Sequence, residues 1–341
     1  MKTFSPDGLF GLEGGTHLHG LQVTYHTVGH LNTDGSNVVW VCHALTANSD
    51  VLDWWNGLFG IGNYYDPEKY FIVCANVIGS CYGTTGPLSI NPITGKPYYQ
   101  HFPLITIRDM VKAHQLLQQH LGIKKIHTLI GGSMGGFQAM EWAIENPDIC
   151  EQLVLIATAA KHSPWGVAYN EAQRMAIEAD ITWGVPSAQA ATKGLRAARA
   201  IALLSYRHYD AYGATQNAKD DEQIDGFPAA AYQRYQGEKL VKRFDAYSYY
   251  SLTKSMDSHN VGRNRKPIER SIGLIKARTV VIGIDSDQLF PPSEQAFLAK
   301  HIPDASLHII DSSFGHDGFL VETKKLTSIL QEEEINVLSK I

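Results

Sequence analysis

Four cysteines in 341 residues, none of them in a C-x-x-C pair, are too few and too scattered for a disulfide framework or a thiolate metal site. Cys42, Cys74, Cys81 and Cys150 sit mostly inside apolar strand-like or helical stretches, as buried free thiols of a reducing cytoplasm do. No apolar run approaches the roughly 20 residues of a membrane span. The opening MKTFSPDGLFG carries one lysine, and Pro6 and Asp7 interrupt any apolar core, so no secretory signal is expected there. Excess charge of one sign is missing too: 29 Lys+Arg stand against 34 Asp+Glu, a formal charge of -5, which leaves no electrostatic footprint for nucleic acid. Charged residues make up only 18% against 44% hydrophobic, which excludes disorder as the dominant state. No internal repeat or low-complexity tract is visible.

What is present is a series of short apolar, β-branched runs: Leu21 to Thr27, Asn37 to Cys42, Tyr70 to Ala75, Ile126 to Gly131 and Leu153 to Ala157. Near-continuous apolar runs of this length suit parallel strands covered on both faces. Between them Ile107, Met110, Val111, His114, Leu117 and Leu121 recur at helical spacing. Strand, helix, strand in that order predicts an α/β sheet with crossover connections. From about Ser163 to Pro267 strand character vanishes, and Ser187 to Tyr206 and Glu238 to Met256 read as helices. It returns at Thr279 to Ile284 and Ser306 to Ile310. The expected organisation is an α/β core in two parts, 1–162 and 268–341, interrupted by an all-helical lid at 163–267.

The strongest local signal is G-x-S-x-G at Gly131, Ser133 and Gly135, between an apolar strand and a helix. A sharp strand-to-helix turn there strains the serine backbone and presents its hydroxyl at the sheet edge, beside free N–H groups of a helix N-terminus. Serine needs a base, and the base an orienting acid, in the order Ser, Asp/Glu, His. After the strand Thr279 to Ile284 come Asp285 and Asp287; after Ser306 to Ile310 comes His316 in a glycine-flanked loop. Strand alternation carries Asp285 and Asp287 to the same side, so periodicity leaves both open. The loop His43 to Ala47 follows another strand and is placed to lend one oxyanion N–H, with Leu45 the candidate donor and Met134 the second. The 25-residue loop Gly79 to Pro103 holds four Gly and four Pro but lacks the Lys-Ser/Thr of a phosphate loop. His17 and His19 alternate on one side with no carboxylate or cysteine to complete a metal set. Arg263, Arg265, Lys266 and Arg270 cluster where the lid returns to the core, where they form either a solvated face or a track for CoA phosphates.

HALTANSD at 43–50, GSCYGTTGPLSINPITGKPYY at 79–99, FPLITIRDMV at 102–111, GGSMGG at 131–136, SDQLFP at 286–291 and GHDGFLVE at 315–322 together resemble the homoserine O-acetyltransferase family. YR at 206–207 and MDSHNVGR at 256–263 extend the likeness through the helical stretch. The resemblance implies an α/β-hydrolase fold with a mostly parallel sheet and a helical lid that commonly mediates homodimerisation. It also implies acyl transfer from acyl-CoA to the hydroxyl of L-homoserine in methionine biosynthesis, with acetyl-CoA as co-substrate and no cofactor. On this likeness Ser133 is the nucleophile, Asp287 the triad acid, His316 the base, and Arg207 and Asp317 the substrate contacts. The family's DxHD segment reads Asp257-Ser258-His259-Asn260 here, a departure at its last position. Homoserine is a zwitterion whose burial calls for a cation and an anion, which Arg207 and Asp317 would supply. A succinyl donor, a serine acceptor, or water as acceptor in an esterase or thioesterase are the alternative readings on the same scaffold.

Overall fold

The computed structural model describes residues 1–265 and 267–339. Its main sheet has eight strands: β1 (Lys2–Phe4), β2 (Val23–Val28), β3 (Val38–Cys42), β4 (Phe71–Ala75), β5 (Ile126–Gly132), β6 (Cys150–Ile156), β7 (Arg278–Ile284) and β8 (Ala305–Ile310). They lie in the order β1-β2-β4-β3-β5-β6-β7-β8. From β4 to β8 every neighbouring pair is parallel. The run Leu21 to Thr27, expected among the parallel strands, forms β2, which pairs antiparallel with both β1 and β4. Its last three residues are only half-buried, as suits a strand near the sheet edge.

Period-2 alternation explains how β3 can be buried along its whole length. Val38, Trp40 and Cys42 enter one apolar layer, and Val39 and Val41 enter the other. The first layer packs α1 (Ile107–His120) and α2 (Met134–Glu145) against the sheet, with Trp40 edge-on to Trp142 at 5.0 Å. Helix α1 buries Ile107, Met110, Val111, His114 and Leu117 of the expected stripe, while Leu121 falls at the C-cap and is half-buried. It begins in a reciprocal cap: Thr106 Oγ1 accepts from the Asp109 N–H, and the Asp109 carboxylate accepts from the Thr106 N–H.

Between β6 and β7 the structure is built of α3 (Pro164–Glu178), α4 (Thr192–Tyr206), α5 (Tyr209–Gln216), α6 (Pro228–Val241) and α7 (Ala246–Asp257), followed by the short helix Ile268–Ile272. Two boundaries differ from the sequence expectation. The helix expected from Ser187 starts only at Thr192, because Ala191 adopts a left-handed conformation (φ 54°). The single helix expected over Glu238 to Met256 is two, since Asp245 turns the chain and caps α7 by accepting from the Ser248 N–H. Helix α8 (Pro292–His301) connects β7 to β8, and α9 (Thr323–Leu338) follows β8. No helix among the described residues is long and apolar enough to cross a membrane.

Candidate active site

Strand β5 hands directly to α2 through Ser133, whose φ of 56° and ψ of −126° lie where non-glycine residues rarely go. Such a conformation costs on the order of 1–3 kcal/mol and persists only when its surroundings over-determine it. Here they do. The Ser133 N–H donates to the Ile156 carbonyl at 3.0 Å, and its carbonyl accepts from Thr158 Oγ1 at 2.9 Å. Glycine is required on both sides: a Cβ at Gly131 would lie 2.2 Å from the Gly135 carbonyl oxygen, and one at Gly135 would lie 2.0 Å from that of Cys42.

The other two members arrive from the C-terminal ends of β7 and β8. Ser133 Oγ lies 2.9 Å from His316 Nε2, and His316 Nδ1–H donates to Asp287 Oδ2 at 2.7 Å. All three residues are buried. Asp287 Oδ1 accepts from the N–H groups of Leu289 and Phe290 at 2.8 and 2.9 Å, which fixes the carboxylate's rotation. Asp285 points elsewhere, accepting from the Ser312 N–H at 2.9 Å. The two acids part because β7 ends at Ile284 and the Asp287 N–H turns back to the Ile284 carbonyl, so strand alternation no longer applies. Ser286, between them, accepts from the Gly315 N–H at 2.9 Å and braces the histidine loop. The rings of Tyr206, Phe290 and Phe319 surround His316 at 5.2–5.8 Å between centroids.

Leu45 and Met134 both have amides with no hydrogen-bond acceptor among the described residues. Their placement rests on groups that sequence reading passed over. His43 is fully buried; its Nδ1–H donates to the Ala44 carbonyl and its Nε2 accepts from the Val77 N–H. Gln138, inside α2, donates to the carbonyls of His43 and Met134 at 3.1 Å each, and accepts from His114 Nε2. The legible signal was a glutamine and a histidine at apolar positions of two packed helices.

Burial pushes the His43, His114 and His162 imidazoles down to about 4, and His259 to about 3. In the unfolded chain these groups titrate near 6.5. Between that value and about 4 the unfolded state therefore binds protons that the native state refuses, so their stabilisation is fully present above pH 6.5 and is lost as pH falls. Asp257, pushed upward by burial, opposes the loss in part. Each histidine contributes on the order of 2 kcal/mol at stake by pH 5. Thermal unfolding at pH 5 is expected at least about 5 °C below that at pH 7.5. An equal or higher midpoint at pH 5 would show that the native imidazoles take up protons.

Arg207, at the end of α4, and Asp317, next to His316, face each other: Nε lies 2.8 Å from Oδ2, an ion-pair contact without hydrogen-bond alignment. Burial pushes the Asp317 carboxyl up, against the pull of Arg207 and Arg199. The DxHD-like segment is structural in its contacts. Asp257 pairs with Arg174 at 2.6 Å, His259 stacks on Phe137 of α2, and the Asn260 side chain accepts from the Gly262 N–H.

The basic cluster is neither a solvated face nor a phosphate track in full. Arg263 is engaged by Glu13 at 2.7 Å, and Arg265 by the buried Glu141 at 2.5 Å, with Arg108 bridging both acids. Arg270 is exposed, and Lys266 lies outside the described residues. Among the described residues no group of three or more His, Cys, Asp or Glu is arranged to hold a metal ion.

A family model described as the alpha/beta hydrolase fold matches residues 37–323. The homoserine O-acetyltransferase of Cyclobacterium marinum is 47% identical over 320 residues, covering 94% of this chain and 91% of the relative. The chain belongs to the homoserine O-acetyltransferase family. Among solved structures, the homoserine O-acetyltransferase from Staphylococcus aureus superposes with a TM-score of 0.79 at 30% identity, covering 96% of this chain and 94% of that one. The L374D mutant of esterase E22 superposes at 0.88 with 25% identity, covering 97% and 98%. Homoserine O-acetyltransferases and at least one esterase thus share this scaffold.

Proposed function

We propose that this protein transfers the acetyl group of acetyl-CoA to the side-chain hydroxyl of L-homoserine through an acetyl ester on Ser133, a step of methionine biosynthesis. The observation that carries the reading is the unbroken relay from Ser133 Oγ through His316 to Asp287 in a chain of this family. Ser133 Oγ attacks the thioester carbonyl as His316 Nε2 takes its proton; the C–S bond breaks, and the departing CoA sulfur receives that proton. The homoserine hydroxyl then gives its proton to the same nitrogen and attacks the ester carbonyl, and Ser133 leaves with the proton. The N–H groups of Leu45 and Met134 stabilise the oxyanion in both halves. No cofactor is needed, acetyl-CoA being a co-substrate.

Arg207 and Asp317 serve as anchors for the acceptor. Facing each other, they neutralise one another. A bound amino acid exchanges that contact for two, its carboxylate on Arg207 and its ammonium on Asp317, which brings the hydroxyl beside His316. The helices from Pro164 to Asp257 act as a lid over these residues, α4 bringing Tyr206 and Arg207 to His316 and Asp317. The same region, in its helices and connecting loops, exposes Trp165, Met175, Ile181, Tyr209 and Ile224, apolar surface that suits a homodimer formed through the lid. Four free cysteines, three of them buried, suit the cytoplasm.

Thiol release from acetyl-CoA tests the acceptor. Addition of homoserine should raise the steady rate at least about 100-fold, the scale that correct positioning supplies. Arg207→Ala should remove most of that rise and leave the initial single-turnover release nearly intact. Equal steady rates with and without homoserine would instead make water the acceptor, as in an esterase.

A further inference from the structure

The candidate oxyanion donor Leu45 belongs to a closed four-residue turn, in which the Ala47 N–H donates to the Ala44 carbonyl at 3.1 Å. Such a turn leaves the inner N–H of Leu45 free on one side and the Thr46 carbonyl free on the other. That carbonyl accepts from Arg243 Nη1 at 2.5 Å. Arg243 comes from the loop between α6 and α7, so the contact ties the helical region to the turn across 197 residues of sequence. Among the described residues of 163–267, Arg243 is the only one whose side chain hydrogen-bonds to residues 43–50.

The guanidinium is itself held. Nη1 also donates to Tyr82 Oη at 2.5 Å, and the Tyr82 ring stands edge-on to Phe244 at 5.7 Å. The Tyr82 carbonyl accepts from Thr24 Oγ1 at 2.7 Å and Asn76 Nδ2 at 2.9 Å, while Asn76 Oδ1 accepts from the Ser49 N–H at 2.8 Å. Tyr82 and the 43–50 loop are therefore parts of one hydrogen-bonded frame. Arg243 has no carboxylate within ion-pair distance among the described residues, although its side chain is exposed. An exposed arginine placed on a carbonyl rather than on an acid fixes geometry more than it gains stability.

We propose that Arg243 is a positioning residue for the oxyanion hole: by holding the Thr46 carbonyl from the lid side, it sets the tilt of the 44–47 turn and so the direction of the Leu45 N–H. The proposal rests on the acetyl-Ser133 reading and on Leu45 as donor. A turn free to rock displaces that donor by a fraction of an ångström, and misplacement of about 1 Å costs on the order of 100-fold in rate. The effect falls on the acylation rate at saturating donor, not on donor affinity.

The test follows acetylation of Ser133 by rapid-quench intact mass over a range of acetyl-CoA concentrations, in wild type, Arg243→Ala, Arg243→Lys and Tyr82→Phe. A trifluoromethyl ketone, whose adduct places an oxyanion in the hole, is titrated in parallel. Arg243→Ala should lower the saturating rate about 30-fold and weaken the ketone by a similar factor, with half-saturation by acetyl-CoA changed less than about 3-fold. Arg243→Lys, which can still donate to the carbonyl, should recover most of both losses, and Tyr82→Phe should show a smaller loss of the same pattern. An unchanged saturating rate, or a rise in half-saturation alone, overturns the proposal and makes Arg243 inert or a contact for CoA phosphates. Should Arg243→Ala fail to fold, the Lys and Phe variants decide: wild-type ketone affinity in Tyr82→Phe together with wild-type acetylation overturns it. If wild type itself forms no adduct on Ser133, the acyl-enzyme reading fails and this proposal with it. Wild-type acetylation in a folded Arg243→Ala removes the Arg243 assignment alone.

Discussion

Ser133→Ala should form no acetyl adduct with acetyl-CoA and should lose homoserine acetylation by on the order of a millionfold, the scale seen when a serine nucleophile is removed from an intact relay. The substitution is well suited to the question because the backbone at Ser133 is held by the Ile156 carbonyl and Thr158, contacts the side chain does not make. Alanine keeps the turn and deletes only Oγ. Intact mass after mixing with acetyl-CoA, without acceptor, should show one added acetyl group in wild type and none in the variant. An undiminished adduct in Ser133→Ala would locate the acyl group elsewhere and remove the ping-pong scheme.

The elbow was legible because each requirement of the turn is written in local sequence: an apolar strand, glycines where a Cβ would strike backbone carbonyls, and a helix after the serine. His316 was legible by order along the chain, since it follows the last strand. Choosing between Asp285 and Asp287 from periodicity was not possible. That choice depends on where β7 stops and how the next turn winds, which the Asp287-to-Ile284 backbone bond decides and no alternation rule encodes. The antiparallel setting of β2 was hidden for a related reason: an apolar run records burial, not the direction of its neighbour. Asp245 ended a helical pattern that read as continuous, because the apolar spacing of Leu240, Phe244 and Tyr247 survives the break.

The supports of the site were the least legible part. Gln138, His114 and Arg243 act over separations of 95, 24 and 197 residues, through single side-chain bonds with no motif of their own. The same holds for the ion-pair cluster. Four arginines or lysines near 263–270 read as one basic patch, but Arg263 and Arg265 are paired with Glu13 and Glu141, acids that lie at least 120 residues away in sequence. Net charge along a segment says little about free charge once distant partners fold against it.

Asp287→Asn should lower kcat by about four orders of magnitude, while Asp285→Asn should change it less than about 10-fold. The reason is a constraint on how asparagine can sit. Asp287 Oδ1 accepts from two backbone N–H groups, those of Leu289 and Phe290. In the variant the amide oxygen must face those donors, since turning the NH2 toward them would set donor against donor. The NH2 is then left where Oδ2 met His316 Nδ1, and it can only donate. His316 Nδ1 becomes an acceptor, its proton moves to Nε2, and Nε2 can no longer take the proton of Ser133 Oγ. The wrong tautomer persists because the ring is packed by Tyr206, Phe290 and Phe319. At position 285 an asparagine oxygen can still accept from the Ser312 N–H, so the histidine loop keeps its brace. Steady-state kinetics of both variants decide the matter: a crippled Asp285→Asn beside a mild Asp287→Asn would reverse the assignment.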